Sequence, residues 1–420
     1  MIKQTRYHET ELAVIGAGIS GCAATLFALN RGIKVTQIGS TGALAFTSGY
    51  FDLLGVDQGR IIDDPWAALE RLGERQPEHP YARIAKQDIG DAFGEFVGAL
   101  NEMGLGYTQP GDSNPMALLP TGAIKPTYCM PKTMSLGTRA MQQRAPTLII
   151  DFAGLQGFSG REIAENLGAH WPRLRVETLS FPGMETASPL YAEVMARSLE
   201  VAQTREALAQ SIKALAGDAE YIALPAILGI HRPDDVHREM ESLIGLPVFE
   251  IPTIPPAVAG IRLRELLEQQ LHERGADIVT QYKVKKVGFN ESNIELSYED
   301  HFGSVIIVAQ KVLLASGRFL SGGLSAEREK ISESLLNLPI QQPEKRDDWF
   351  QEAYFDPSGH AVNRAGVRVN NNFQVVDLNQ RIIDPRLYAS GIVLANQDWI
   401  RQRSGAGIAL ATAYKAVQSS

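Results

Sequence analysis

The chain has 420 residues, 21% of them charged and 44% hydrophobic, with a formal net charge of −8; it is long enough for two globular domains, and its acidity argues against a nucleic-acid binder, which needs a basic face. No apolar run reaches the roughly 20 residues that cross a bilayer, and the polar start Met1–Thr10 lacks the apolar core of a secretory signal. The two cysteines, Cys22 and Cys129, are too few for an iron–sulfur cluster or a disulfide framework, so a cytoplasmic protein with no metal site of its own is expected.

The first predicted element is the apolar strand Leu12–Ile15, which runs into Gly16-Ala17-Gly18-Ile19-Ser20-Gly21 and a helix through Leu29. Glycines at this spacing allow a tight turn, close approach of backbone to a pyrophosphate, and close helix–strand packing. The helix N-terminus then faces the phosphates. Arg31-Gly32 stops the helix, and a second strand is predicted over Ile33–Ile38. Small residues follow at Gly39, Ser40 and Thr41 and again at Thr47, Ser48 and Gly49, where open α/β folds place ligand-binding loops.

Helices are predicted at Trp66–Leu72 and Ile89–Met103, and irregular structure or a short β excursion over Tyr107–Pro131. From residue 146 strands (Thr147–Ile150, Leu174–Leu179, Tyr221–Leu224) alternate with helical patterns, as in a parallel sheet. Gly154-x-x-Gly157-x-x-Gly160 lacks the G-x-G bend and reads as an ordinary βα turn. After the rigid segment Ile251–Gly260 comes an amphipathic helix over Ile261–Arg274, then strands at Ile278–Val287, Asn293–Tyr298 and Ser304–Val308.

Two later stretches complete a cofactor pattern. Val312–Leu314 ends in Ala315-Ser316-Gly317, the return strand of two-domain flavoproteins with Ser for Thr. Leu387-Tyr-Ala-Ser-Gly391 precedes Ser404-Gly405-Ala406-Gly407-Ile408 and a helix over Ala409–Val417, whose N-terminal N–H groups would face the flavin and favour the charge of its reduced form. The expected fold is therefore α/β, a discontinuous Rossmann-like FAD/NAD(P)-binding fold over 1–145 and 251–420 with an inserted α/β domain at 146–250.

Two positions depart from the pattern. The second strand ends Gln37-Ile38-Gly39-Ser40 with no acid for the adenosine ribose, and Ile392 stands where an acid commonly follows the glycine. A charged hydrogen bond is worth about 1.5–3 kcal/mol, so the first absence weakens the adenosine half by about ten- to a hundredfold, with Ser40 or Thr41 left to compensate. The motif points to FAD, and the missing acid leaves room for FMN. Arg318, next to Ser316-Gly317, is the candidate catalytic group; Arg262, Arg264, Arg401 and Arg403 are further anion-binding candidates, most of which read better as surface arginines or interface salt bridges. His79 and His231 read as solvated loop histidines, and Cys22 as a buried helix residue.

Thr47–Leu54, His79-Pro-Tyr81, Pro252–Leu263 and Ala315–Leu324 together resemble the B-type subunit of anaerobic sn-glycerol-3-phosphate dehydrogenase over nearly the full length. The resemblance implies a flavin, FMN, in a three-subunit enzyme. The larger, catalytic A-type subunit holds FAD and oxidises sn-glycerol 3-phosphate to dihydroxyacetone phosphate. The C-type subunit holds iron–sulfur clusters and anchors the assembly to the inner face of the cell membrane, passing electrons to menaquinone in fumarate or nitrate respiration. Where a glycine-rich run is expected, this chain has Gln397–Arg403. The alternatives are a self-sufficient flavin oxidoreductase acting on another small anion, and a non-catalytic scaffold subunit that keeps the fold.

Overall fold

The computed structural model describes residues 5–40, 43–186 and 188–420. Two sheets organise it, built in chain order from β1 (Arg6–Ile15), β2 (Val35–Gly39), β3 (Thr147–Phe152), β4 (Leu174–Leu179), β5 (Tyr221–Pro225), β6 (Val248–Ile251), β7 (Asp277–Thr280), β8 (Lys286–Phe289), β9 (Ile294–Asp300), β10 (Gly303–Leu314) and β11 (Leu387–Ala389). They fall into two compact units, Met1–Ala43 with Asp52–Phe96 and Leu267–Ser420, and Leu44–Phe51 with Val97–Leu266.

The first unit carries a seven-stranded sheet in the order β7-β2-β1-β10-β9-β8, with β11 also on β10. β10 is divided in function. Its first half pairs antiparallel with β9, and its last three residues, Val312–Leu314, pair parallel with β11. At the carboxyl end all the paired strands are parallel, with Ile15 opposite Ile38 on one side and Leu314 on the other, and Leu314 opposite Ala389. The sequence explains the division: Gly303–Ala309 alternates buried with part-exposed residues, the signature of a half-covered antiparallel strand, whereas Val312–Leu314 and Leu12–Val14 are buried on both faces.

The helix Ile19–Asn30 buries every residue from Ser20 to Ala28. Its small residues let the last helix, Gly405–Ser419, approach closely, with Phe27 edge-on to Tyr414 at 5.2 Å. The expected strand Ile278–Val287 is two strands. The chain turns through left-handed Gln281, so β7 continues the parallel order beside β2 while β8 joins β9.

The second unit holds an all-parallel sheet, β6-β5-β3-β4, flanked by helices including Lys132–Gln143, Gly160–Leu167, Ala202–Leu215 and Pro233–Ile244. It takes in more of the chain than the strand–helix alternation from residue 146 marks out. Ala45, Tyr50, Leu118, Met130 and Met134 before the sheet, and Val258, Ala259 and Ile261 after it, belong to one apolar core with Ile149, Leu224 and Phe249. Within Tyr107–Pro131 lies a two-stranded hairpin, Met116–Leu118 with Ile124–Pro126. Gly154–Gly160 is a βα turn. Asp151 at the end of β3 accepts the Gly160 N–H (2.8 Å), and after β5 Glu200 accepts the N–H groups of Ile230 and His231 (2.8 and 2.9 Å), so these donors are already occupied by the chain's own carboxylates.

Candidate functional site

The site is built at the carboxyl edge of the first sheet. Gly16 leaves β1 at φ +137°, and its N–H donates to the Ile38 carbonyl (2.8 Å) while Ala315 N–H donates to the Ile15 carbonyl (2.8 Å). A Cβ on Gly16 would overlap the Ala315 carbonyl, and one on Gly21 would overlap the Gly16 carbonyl. A Cβ on Gly18 would meet no atom within 4 Å. The first and third glycines are thus required by packing, and the second opens free space at the start of a helix that no side chain caps, which is where a phosphate is favoured. Ala17 and Ile19 complete this loop. Gln37, almost wholly buried, donates to the Gly16 carbonyl (2.9 Å) and Cys22 Sγ (3.5 Å) and so fixes the turn from beneath. Burial pushes the Cys22 thiol up to about 11, which keeps it protonated and unreactive.

The later glycine turns reach the same place. Ser20 and Ser390 share a hydrogen bond between hydroxyls (2.8 Å). Gly391 sits at φ +79° against Ser20, and its N–H donates to Thr412 Oγ1 of the last helix (2.8 Å). Gly407 donates to the Asp52 carbonyl (2.8 Å), and a Cβ there would overlap the Tyr81 hydroxyl, which itself donates to the Leu53 carbonyl (2.6 Å). Gly317 takes φ +72°, and Ser321 Oγ closes its turn on the Ser316 carbonyl (2.8 Å). The helix Gly405–Ser419, with Ala406 and Ile408 in its first turn, has Ser404 at its N-cap, yet the Ser404 hydroxyl does not cap it.

Ser404 Oγ and Ser316 Oγ are buried and have no hydrogen-bond partner among the described residues. Orphaned buried hydroxyls are rare in folded chains. Two of them, together with the open space at Gly18 and the uncapped starts of the first and last helices, fit a bound polar ring system with a phosphate tail. The fit fails at one point. A Cβ on Gly39 would lie 2.7 Å from the Ala17 nitrogen, so the end of β2 has no room for the carboxylate that adenosine ribose usually meets. Ser40 follows, partly exposed, and Thr41 lies outside the described residues. Ile392 forms part of the short turn after Gly391.

Thr47, Ser48 and Gly49 belong to the second unit. There Thr47 Oγ1 accepts the Gly49 N–H (3.2 Å), and Gly49 (φ +84°) packs against Ala259 and Pro131.

The arginines separate. Arg318 is buried, and its guanidinium donates to the Asn363 (2.5 Å) and Val362 (2.9 Å) carbonyls; desolvation lowers it to about 10, so it keeps its charge at neutral pH. Arg262 is neither surface nor anion site. It is spent in a buried pair with Glu250. Arg264 pairs with Glu265 at 3.6 Å, Arg401 donates to the Tyr354 carbonyl, and Arg403 takes a left-handed conformation before Ser404.

His231 is exposed, but His79 corrects the expectation of a solvated loop residue: it has no exposed surface. Proline at 80 signals a turn but says nothing of depth. Its Nδ1 accepts the Tyr81 N–H (3.2 Å), so Nε2 carries the proton and donates to Gln402 Oε1 (3.2 Å). Burial pushes His79 down to about 4, with Arg364 adding to the effect and Gln402 opposing it. Because the unfolded chain protonates this ring near 6.5 and the folded chain near 4, stability is full above 6.5 and falls as pH drops through that window. The loss reaches about 3 kcal/mol at the acid end. Urea unfolding at pH 7 and pH 4.5 should show a steeper decline for the native chain than for His79→Gln; equal declines would refute the buried neutral ring.

Residues 11–408 match the family described as FAD binding domain. The chain belongs to that family, and its cofactor is a flavin. Among its curated relatives, the B-type subunit of anaerobic glycerol-3-phosphate dehydrogenase from Yersinia pseudotuberculosis is 28% identical over 96% of this chain and 96% of its own length. A Vibrio cholerae protein of the same name is 28% identical over 97% and 95%. Among solved structures, a 3-ketosteroid delta1-dehydrogenase from Sterolibacterium denitrificans is 12% identical with a TM-score of 0.43, covering 98% of this chain and 99% of its own. Among the described residues no helix is long and apolar enough to cross a membrane.

Proposed function

We propose that the chain is the flavin-bearing B-type subunit of an anaerobic glycerol-3-phosphate dehydrogenase. In that assembly sn-glycerol 3-phosphate is oxidised to dihydroxyacetone phosphate. Electrons leave through an iron–sulfur subunit to menaquinone, and the complex is held at the inner face of the cell membrane by its partners. The observation that carries the reading is the likeness to relatives of that name along 96% of both chains, in a protein whose separated glycine turns meet at one sheet edge.

A flavin accepts two electrons together and gives them up singly, the exchange needed between an organic substrate and iron–sulfur clusters. The turn that Gly16 and Gly21 make possible holds its phosphate at Gly18; Ser316 and Ser404 offer hydroxyls to its polar edges. Ala315, Gly317 and Gly391 keep backbone close by having little or no side chain. The uncapped N-terminus of Gly405–Ser419 favours negative charge on the reduced ring. Arg318 adds a fixed positive charge behind Ser316-Gly317. Without an acid at the end of β2, FMN suits the site better than tightly held FAD.

The purified chain should be yellow. Flavin released by denaturation and chromatographed should run as FMN. Glycerol 3-phosphate should bleach it only when the other two subunits are present. A colourless chain that still assembles would make it a scaffold, and bleaching by another small anion without partners would make it a self-sufficient oxidoreductase; either result overturns the proposal.

A further inference from the structure

We propose that His79 is a positioning residue that fixes the first turn of the helix Gly405–Ser419 and thereby sets the reduction potential of the flavin; this rests on the flavin reading above. The segment Gln397–Arg403 stands where a glycine-rich run is expected, and it holds its shape through side chains instead. Gln397 Nε2 donates to the Ile392 and Leu394 carbonyls (3.1 and 3.0 Å), and its Oε1 accepts the Trp399 N–H (3.0 Å). Asp398 Oδ1 accepts the Arg401 N–H (3.2 Å), Oδ2 accepts Asn363 Nδ2 (3.2 Å), and the Asp398 N–H donates to Gln402 Oε1 (3.1 Å). Gly55 N–H reaches the Gln402 and Arg403 carbonyls (3.0 and 3.1 Å).

The His79 ring joins this segment from outside, through the same Gln402 Oε1. On its other side the ring accepts the N–H of Tyr81, the residue whose hydroxyl occupies the space a Cβ of Gly407 would need. Both arms of His79 therefore bear on Gly405–Gly407: one through Gln402, Arg403 and Ser404, the other through Tyr81. The ring brings no formal charge, so its influence on the helix edge is geometric. Displaced N–H donors would stabilise the reduced, more negative flavin less than aligned ones.

Glutamine can place its amide nitrogen where histidine has Nε2, whereas asparagine can place its oxygen where histidine has Nδ1. His79→Gln keeps the bond to Gln402 and His79→Asn keeps only the bond to Tyr81. Spectroelectrochemical titration of the flavin-loaded chain should leave His79→Gln, which keeps the arm that runs through Gln402 directly into the helix start, near the native potential. It should move His79→Asn to a more negative one, by about tenfold in the ratio of oxidised to reduced affinity, or ~30 mV for two electrons. In the flavin-stripped chain, amide exchange at Gly407 and Ile408 should be faster in His79→Asn than in His79→Gln or the native chain. Equal potentials in all three, or equal shifts in both variants, overturn the proposal. A native chain that holds no flavin overturns the flavin reading instead and with it the role in the potential; exchange then shows whether His79 anchors the helix, and unchanged exchange removes that too.

Discussion

Replacing Arg262 by methionine is expected to cost the fold about 3–5 kcal/mol, the range for breaking a buried ion pair from one side. The Arg262 and Glu250 side chains are 1% and 0% exposed and meet through two parallel bonds of 2.7 and 2.8 Å. Arg262 Nε also donates to the Gly229 carbonyl (2.8 Å), and Glu250 further accepts from Thr133 Oγ1 and Leu228 N–H, both at 2.7 Å. The carboxylate thus sits in the middle of β6 with four donors, held below the usual carboxylate range by Arg262 and these bonds against the opposing effect of burial. Without the guanidinium it keeps two neutral donors and must take up a proton or remain charged in an apolar core. The deficit of Arg262→Met should therefore grow as pH rises, because the unfolded carboxyl ionises freely and the folded one does not. Replacing Glu250 by leucine in the same chain should restore much of the loss, since a buried pair is often matched by apolar packing. Urea denaturation of the single and double variants measures both effects. A single-variant loss under about 1 kcal/mol would show that the pair contributes little to the second unit.

The glycines of the first turn should separate fold from cofactor. Gly16→Ala combines a backbone at φ +137° with a Cβ that overlaps the Ala315 carbonyl. Backbone strain of this kind costs about 1–3 kcal/mol before any clash is counted. The clash lies between β1 and β10, at the centre of the sheet, so Gly16→Ala should lose several kcal/mol and its flavin together. Gly18→Ala should behave differently. Its new methyl meets nothing in the flavin-free chain, and exchanging glycine for alanine at an N-cap costs at most about 1 kcal/mol. It does fill the space assigned to the phosphate, so flavin affinity should fall at least about tenfold. Thermal melts of the stripped chains, set beside flavin titration followed by fluorescence quenching, distinguish the two. A Gly18→Ala chain that binds flavin as tightly as the native one would remove the phosphate from that loop.

The sequence makes the cofactor half of this fold legible because its signals are local. Leu12–Ile15, the G-x-G-x-x-G spacing, Ala315-Ser-Gly317 and Gly405–Ile408 each announce a strand end or helix start within a few residues. Register then brings those ends to a common edge. Hidden features depend on partners distant in the chain. Nothing around His79 marks it as buried, since its depth comes from Gln402 and the last helix. Arg262 lies on the exposed-looking side of a periodic helix pattern, and only Glu250, supplied by β6, reveals its burial. The space that excludes an acid at Gly39 is taken by Ala17, which local reading cannot place. Ala45, Tyr50, Leu118 and Met134 join the second unit through a core that no strand–helix alternation announces.

The position of β1 between β2 and β10 constrains how the protein is made. On the ribosome, Val97–Leu266 emerges as one stretch and has its whole parallel sheet in hand before Gly303–Leu314 is synthesised. The strand β1, translated before β10, must wait with one ladder unpaired until Gly303–Leu314 appears. Folding is therefore not vectorial, and the turn at Gly16 is completed only once Ala315 has been synthesised. Nascent chains stalled before Gly303 would be the stage most dependent on chaperones.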